Sequence, residues 1–288
     1  MRGGFEIDKR KVRTAFDAAA GDYARHAVLQ QEVRRRLLER LDVIRIDPRR
    51  VIDLGCGPGD ALRPLAQRYR KARVLGLDLS PAMAARARTQ GRWPRRPWAI
   101  CADMEVLPFA DRSFDLAVSV AALQWVNDLD RVFTEVRRTL APCGLWLFST
   151  FGPDTLRELR AAFAAVDGGA SPHVNAFIDM HDIGDALVRT GFADPVMDQE
   201  TLTLTYPDFG SLLRDLRNIG VRNALAGRAR GLFGPRRLQA VEAAYRSGFA
   251  QEGRLPATWE VVYGHAWVPD APPPSGVPGR FIPIRPAG

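Results

Sequence analysis

The chain has 288 residues, a formal net charge of +8 at neutral pH and an apolar fraction of 46%. That apolar share affords a sizeable core, so one large domain with an elaboration is expected rather than two independent domains or a disordered chain. The positive excess is almost wholly arginine, with lysine only at positions 9, 11 and 71; coding composition alone can produce this, while a basic surface also favours an acidic partner.

Residues 1–10 read as a loose arm. Residues 12–41 read as two helices, the first containing Phe16 and Tyr23, the second running through Val28, Val33, Leu37, Leu38 and Leu41. Together, residues 1–45 form an N-terminal helical cap. Tyr23 either packs against the sheet edge or closes over a bound cofactor. The cluster Arg34–Arg36 is either a solvated helix face or a docking surface.

The main domain is assigned to residues 46–268, and it is organised around Val51-Ile-Asp-Leu-Gly-Cys-Gly-Pro-Gly59. A short apolar strand, Arg50–Leu54, enters a Gly-rich turn, and a helical stretch from Ala61 to Tyr69 leaves it. Gly55, Gly57 and Gly59 permit a tight turn and close backbone approach to a ligand. A second strand, Arg73–Leu77, ends at Asp78, where a carboxylate can accept both hydroxyls of a ribose. The loop departs from G-x-G-x-x-G. Asp53 sits beside it, and a carboxylate there repels a pyrophosphate but suits a cofactor carrying an ammonium and a sulfonium. The expected cofactor is therefore S-adenosylmethionine rather than NAD.

Ser80-Pro81 starts the next helix, with Met83, Ala84 and Ala87 inside it. A basic, Trp-containing loop over 92–97 leads to a third strand, Trp98–Cys101. Asp103 after it can accept an adenine amino group, and Met104 offers a soft surface to the ring. A fourth strand, Leu116–Val120, precedes Gln124 and Trp125, placed where a reacting methyl group should point. An amphipathic helix over 128–140 ends at Ala141-Pro-Cys-Gly144, and a fifth strand covers Leu145–Phe151.

The later part breaks simple alternation. A helix starts at Gly152-Pro-Asp-Thr155, with Asp154 or Thr155 as its cap. A loop over 171–177 precedes a helix over Met180–Thr190. Strands are predicted over Val196–Tyr206 and Trp259–Val268, and they can pair as a long-range hairpin. Residues 207–255 between them form a helical lid insertion, and 269–288 are a Pro-rich, disordered tail. The fold expected is α/β: a doubly wound, Rossmann-like, seven-stranded sheet with a helical insertion between the last two strands.

Three scattered cysteines, Cys56, Cys101 and Cys143, suggest neither a disulfide framework nor a zinc site and fit a reducing compartment. No apolar run approaches the roughly eighteen residues of a membrane span. The N-terminus lacks a hydrophobic signal core. A cytoplasmic protein follows, with no bound metal, no membrane association and no nucleic-acid partner, since no RNA-binding signature accompanies the charge.

Asp53-Leu-Gly-Cys-Gly-Pro-Gly59, Asp78, Asp103-Met104 and Phe114-Asp115 stand in the order of class I S-adenosylmethionine-dependent methyltransferases, which this chain resembles. The stretches 122–128, 148–159, 173–182 and 255–267 narrow the likeness. With Phe16-Asp-Ala-Ala-Ala and Tyr23, they resemble the malonyl-[acyl-carrier protein] O-methyltransferase family of biotin synthesis over residues 12–268. Cys143 departs from the Gly that such methyltransferases usually carry there. A second group, mitochondrial complex I assembly factors resembling a protein-arginine hydroxylase, shares the Trp-Val-Asn-Asp stretch and the Pro-Ala-Thr segment. The first family motif begins near Arg13, which leaves little room for a transit peptide and ranks this group second.

The resemblance implies methyl transfer from S-adenosylmethionine to the free carboxylate of malonyl-acyl carrier protein, an acidic partner. It implies cofactor roles for Asp53, Gly55, Gly57, Gly59, Asp78, Leu79, Asp103, Met104 and Gln124. Tyr23, Gln124, Trp125 and His173 are the candidates for the reacting end. Arg157, Arg160, Asn175, Tyr206, Arg222 and Asn223 are further candidates for orienting the malonyl group. Arg34–Arg36, Arg228, Arg230, Arg236 and Arg237 are candidates for carrier docking.

Overall fold

A computed structural model describes residues 7–90, 97–168, 174, 176–218 and 234–270. Three helices come first: α1 (Lys9–Ala19), α2 (Tyr23–His26) and α3 (Val28–Glu39). The alternating part is β1 (Arg50–Leu54), α4 (Leu62–Arg68), β2 (Arg73–Asp78), α5 (Pro81–Ala87), β3 (Trp98–Cys101), β4 (Phe114–Ser119), α6 (Leu129–Thr139) and β5 (Leu140–Phe151). Then come α7 (Arg157–Asp167), α8 (Met180–Arg189), β6 (Ala193–Tyr206), α9 (Phe209–Asn218), α10 (Pro235–Phe249) and β7 (Leu255–Trp267).

The strands form one seven-stranded sheet in the order β3-β2-β1-β4-β5-β7-β6. β1 to β5 run parallel, and β7 lies antiparallel between β5 and β6. The strand order reverses between β1 and β4, which opens a crevice at their carboxyl ends. Asp115 pins the opposite ends together: its carboxylate accepts the Arg49 and Arg50 amides, each at 2.9 Å, and the Arg50 guanidinium at 2.7 Å.

Alternation along the strands sends side chains to two cores. On one face Val51, Leu116 and Leu145 pack with Leu29, Val33 and Leu37 of α3 and with α7, α9 and α10. On the other, Ile52, Ala117, Trp146 and Phe148 pack with Phe133 and Val136 of α6 and Ile183 and Leu187 of α8.

The fold class is the expected one, and four local readings change. The arm does not extend to residue 10: the Asp8 carboxylate caps α1 by accepting the Arg10 and Lys11 amides, so the helix starts at Lys9. β5 begins at Leu140, before the Pro-Cys-Gly turn, because Leu140 already pairs with Phe114 of β4. Cys143 has φ +57°, the left-handed conformation that glycine adopts most readily. Neither Asp154 nor Thr155 caps α7. Leu156 is the capping position, with φ +56°, while the Thr155 hydroxyl donates to the Glu260 carbonyl at 3.1 Å.

α9 and α10 are built into the core rather than laid over it. Phe209 and Tyr245 meet at 5.6 Å between ring centroids, and the Tyr245 hydroxyl donates to the Pro256 carbonyl at 2.6 Å. The middle of the insertion, residues 219–233, and the tail over 271–288 lie outside the described residues.

Candidate active site

The crevice holds an open cleft at the carboxyl ends of the strands, where ligands bind in doubly wound sheets. Its floor is the turn after β1. Gly55 has φ +73°, and a Cβ added there would lie 2.4 Å from the Ala122 Cβ. Only a glycine lets the two loops approach so closely. Gly57, with φ +53°, has open space where a Cβ would be, and its amide donates to Asp78 at 2.8 Å. Gly59 (φ +93°) packs against α5: a Cβ added there would lie 2.9 Å from the Ala87 Cα.

Asp78 lines the cleft at the end of β2. Its two oxygens accept the Gly57 and Ser80 amides, each at 2.8 Å, and burial pushes its carboxyl up to about 6 against those hydrogen bonds. Leu79, Asp103 and Met104 line the next stretch of wall. Lys9 also reaches this stretch. Its ammonium pairs with Asp103 at 2.5 Å and with Glu105 at 2.7 Å. Asn127 ties the chain before α1 to this wall: its side chain accepts the Ile7 amide at 2.7 Å and donates to the Ile7 carbonyl at 3.0 Å.

Tyr23 and Trp125 both line the cleft, and Phe16 stands between them, edge-on to Trp125 at 5.5 Å. Ala121 beside them has φ +48°, a strained backbone at the end of β4. Gln124 does not line the cleft. Its amide nitrogen donates to the Ala121 carbonyl at 2.6 Å, so the side chain braces the turn instead of facing a ligand.

A second recess, lined by Gln30, Arg34, Asp53 and Asp60, adjoins the first and shares Tyr23, Gly55, Gly57 and Val120 with it. Asp53 lines this recess at 1% exposure, and its Oδ1 has no partner. Burial, helped by Asp78, pushes its carboxyl up to about 8. The Gln30 Oε1 is likewise buried and unpartnered. Such groups cost free energy unless a ligand or water answers them.

The other candidates scatter. Among the described ones, Arg160 donates to the Pro153 and Thr155 carbonyls, Tyr206 donates to Asp215 at 2.7 Å, and Arg157 is exposed. None of these lines the cleft. His173, Asn175, Arg222, Asn223, Arg228 and Arg230 lie outside the described residues. Arg35 is bound to Glu32 and Glu39, Arg36 to Glu32 and Glu200, and Arg237 to Asp167. His181 sits in the first turn of α8 against Asp179, 2.8 Å away. Among the described residues no group of His, Cys, Asp or Glu could hold a metal ion, and no helix is long and apolar enough to cross a membrane.

Sequence reading missed Lys9, Phe16, Gln30 and Ala121. The signal for the first two was present: Asp8 is a capping residue, and Val12 and Phe16 follow at helical spacing.

The family model described as "Methyltransferase domain" matches residues 52–148. The malonyl-[acyl-carrier protein] O-methyltransferase of Halorhodospira halophila is 53% identical over 91% of this chain and 88% of its own length. The chain belongs to the malonyl-[acyl-carrier protein] O-methyltransferase family. The Laribacter hongkongensis member is 52% identical, over 95% of this chain and 94% of its own length. Among solved structures, the YcgJ protein of Bacillus subtilis superposes with a TM-score of 0.58 at 16% identity, covering 82% of this chain and 97% of its own. At that identity it speaks to the fold, which is the class I methyltransferase sheet.

Both recesses fit S-adenosylmethionine. The unpartnered buried acceptors Asp53 Oδ1 and Gln30 Oε1 could answer its ammonium, and the Gly55 turn leaves room for close approach.

Proposed function

We propose that this protein methylates the free carboxylate of malonyl-acyl carrier protein, with S-adenosylmethionine as donor, in biotin synthesis. The observation that carries the cofactor part is Asp53, a buried carboxyl whose Oδ1 has no hydrogen-bond partner, beside a glycine turn. The substrate part rests on the relatives named above, matched nearly end to end. The cofactor, when bound, supplies a methyl group on a positive sulfur.

The protein's residues do the rest. Gly55 and Gly57 would bring backbone to the methionine part, Asp78 would take the ribose hydroxyls, and Met104 would offer its side chain to the adenine. Lys9 occupies one oxygen of Asp103, so the adenine amino group meets an acid already anchored to α1. The nucleophile is a carboxylate, already an anion at neutral pH, so no general base is needed. Catalysis is then proximity, orientation and exclusion of water. Phe16, Tyr23 and Trp125 form the apolar wall that excludes it. Burial, with Asp78 and Asp60 nearby, pushes the Tyr23 phenol above its ordinary value, so it stays protonated and can donate to the malonyl carboxylate.

The insertion over 207–255 serves the substrate side, a role supported by the contact of α9 with α2, the helix that begins at Tyr23. Three free cysteines support a cytoplasmic location.

The test is a mass spectrum of malonyl-carrier protein after incubation with the protein and S-adenosylmethionine. A gain of one methylene, removed by an esterase, is expected. No gain, with cofactor binding shown in parallel, would refute the substrate and favour a protein-modifying reaction.

A further inference from the structure

The three neighbouring arginines Arg34, Arg35 and Arg36 have different surroundings. Arg35 and Arg36 are spent on glutamates. Arg34 turns into the polar recess, where a loose ion pair of 3.5 Å to Asp60 holds it. Gln30 lies one helical turn before Arg34 on α3, so both reach the same recess. There the unpartnered Gln30 Oε1 and the unpartnered Asp53 Oδ1 are acceptors awaiting a donor. One cation and two open acceptors are the complement of an α-amino acid, which carries a carboxylate and an ammonium with three donors.

We propose that Gln30 and Arg34 read the amino-acid end of the cofactor: Gln30 and Asp53 take the ammonium, and Arg34 takes the carboxylate by exchanging its ion pair with Asp60. This rests on reading the cleft as an S-adenosylmethionine site. α3 thereby becomes part of the binding site. The charge of Arg34 acts inside the recess and not on a docking face.

The experiment compares two probes by calorimetry on the full chain. S-adenosylhomocysteine keeps the amino-acid end, and 5′-methylthioadenosine lacks it. Arg34→Met should weaken S-adenosylhomocysteine about 10- to 100-fold, the scale of a charge-assisted hydrogen bond, and leave methylthioadenosine unchanged. Arg34→Lys should recover part of the loss, and Gln30→Met should give a smaller loss confined to the same probe. Equal weakening of both probes, or no weakening, would overturn the assignment of Arg34 while leaving the cofactor reading intact. Failure of both probes to bind the unaltered protein would instead remove the cofactor reading itself.

Discussion

The crevice and the insertion between β6 and β7 handle their polar groups in opposite ways. In the insertion the buried Tyr245 hydroxyl is answered by the Pro256 carbonyl, and Asp215 answers the Tyr206 hydroxyl at the end of β6. Next to it, the buried Glu158 accepts the Thr258 amide at 3.0 Å and its hydroxyl as well. In the crevice Asp53 and Gln30 keep open acceptors, and three backbone positions, Gly55, Gly57 and Ala121, stand at positive φ. The Trp146 and Trp259 indole nitrogens are also unpartnered, but they are donors shut inside the core, whereas Asp53 and Gln30 are acceptors that line a recess. The insertion is therefore a structural part of the domain as well as the proposed substrate side.

The sharpest way to break the contrast is Gly55→Ala. The added Cβ would collide with Ala122, and the backbone there disfavours any side chain. S-adenosylhomocysteine binding should fall below detection, with a stability loss of about 1–3 kcal/mol in chemical denaturation. Retained affinity would show that the turn can shift without cost. Asp78→Ala comes next. It removes the proposed ribose acceptor and frees the Gly57 and Ser80 amides, so affinity should drop about 10- to 100-fold. Unchanged calorimetric affinity would remove the ribose assignment.

Proton linkage sharpens the contrast further. Asp53 is raised to about 8 and Asp78 to about 6, from 3.8. Raised carboxyls favour the protonated folded state. Their contribution is complete below the unfolded value and disappears as pH climbs through 6 and then 8. The melting temperature of the ligand-free protein should therefore fall from about pH 4 to about pH 8, more steeply below pH 6 where both carboxyls contribute, and level off above. Asp53→Asn should flatten the upper part of that fall. The same steep decline in the variant would mean that another group sets it. Binding a cationic ligand near neutral pH should also release a proton from Asp53, seen as a dependence of calorimetric heat on buffer ionisation.

Smaller effects test the other region. Tyr245→Phe should cost about 1 kcal/mol in stability through the unanswered Pro256 carbonyl, and cofactor affinity should not move. A loss of affinity would join the two regions energetically. Lys9→Met removes a partly exposed pair with Asp103 and Glu105. Its expected effect is less than about fivefold in S-adenosylhomocysteine affinity, by way of a faster off-rate.

Much of this molecule could be read from its sequence because the informative signals are local. Asp53, Gly55 and Gly57 lie within one turn, and Asp78 and Asp103 each follow a strand that its own apolar residues announce. What chain order could not give is the surroundings: the Gln124 amide is directed by the Ala121 carbonyl, and the neighbour that fills the space beside Gly59, Ala87, comes from another element.

The sequence by itself determined the order of strands and helices, the glycine turn and the acids at the strand ends, because each follows from short-range backbone and burial patterns. Tertiary structure alone decided which of three adjacent arginines faces the recess. Successive residues on a helix point about 100° apart. The packing of Leu29, Val33 and Leu37 against the sheet rotates α3 so that Gln30 and Arg34 line the site, while Arg35 and Arg36 are held by glutamates outside it.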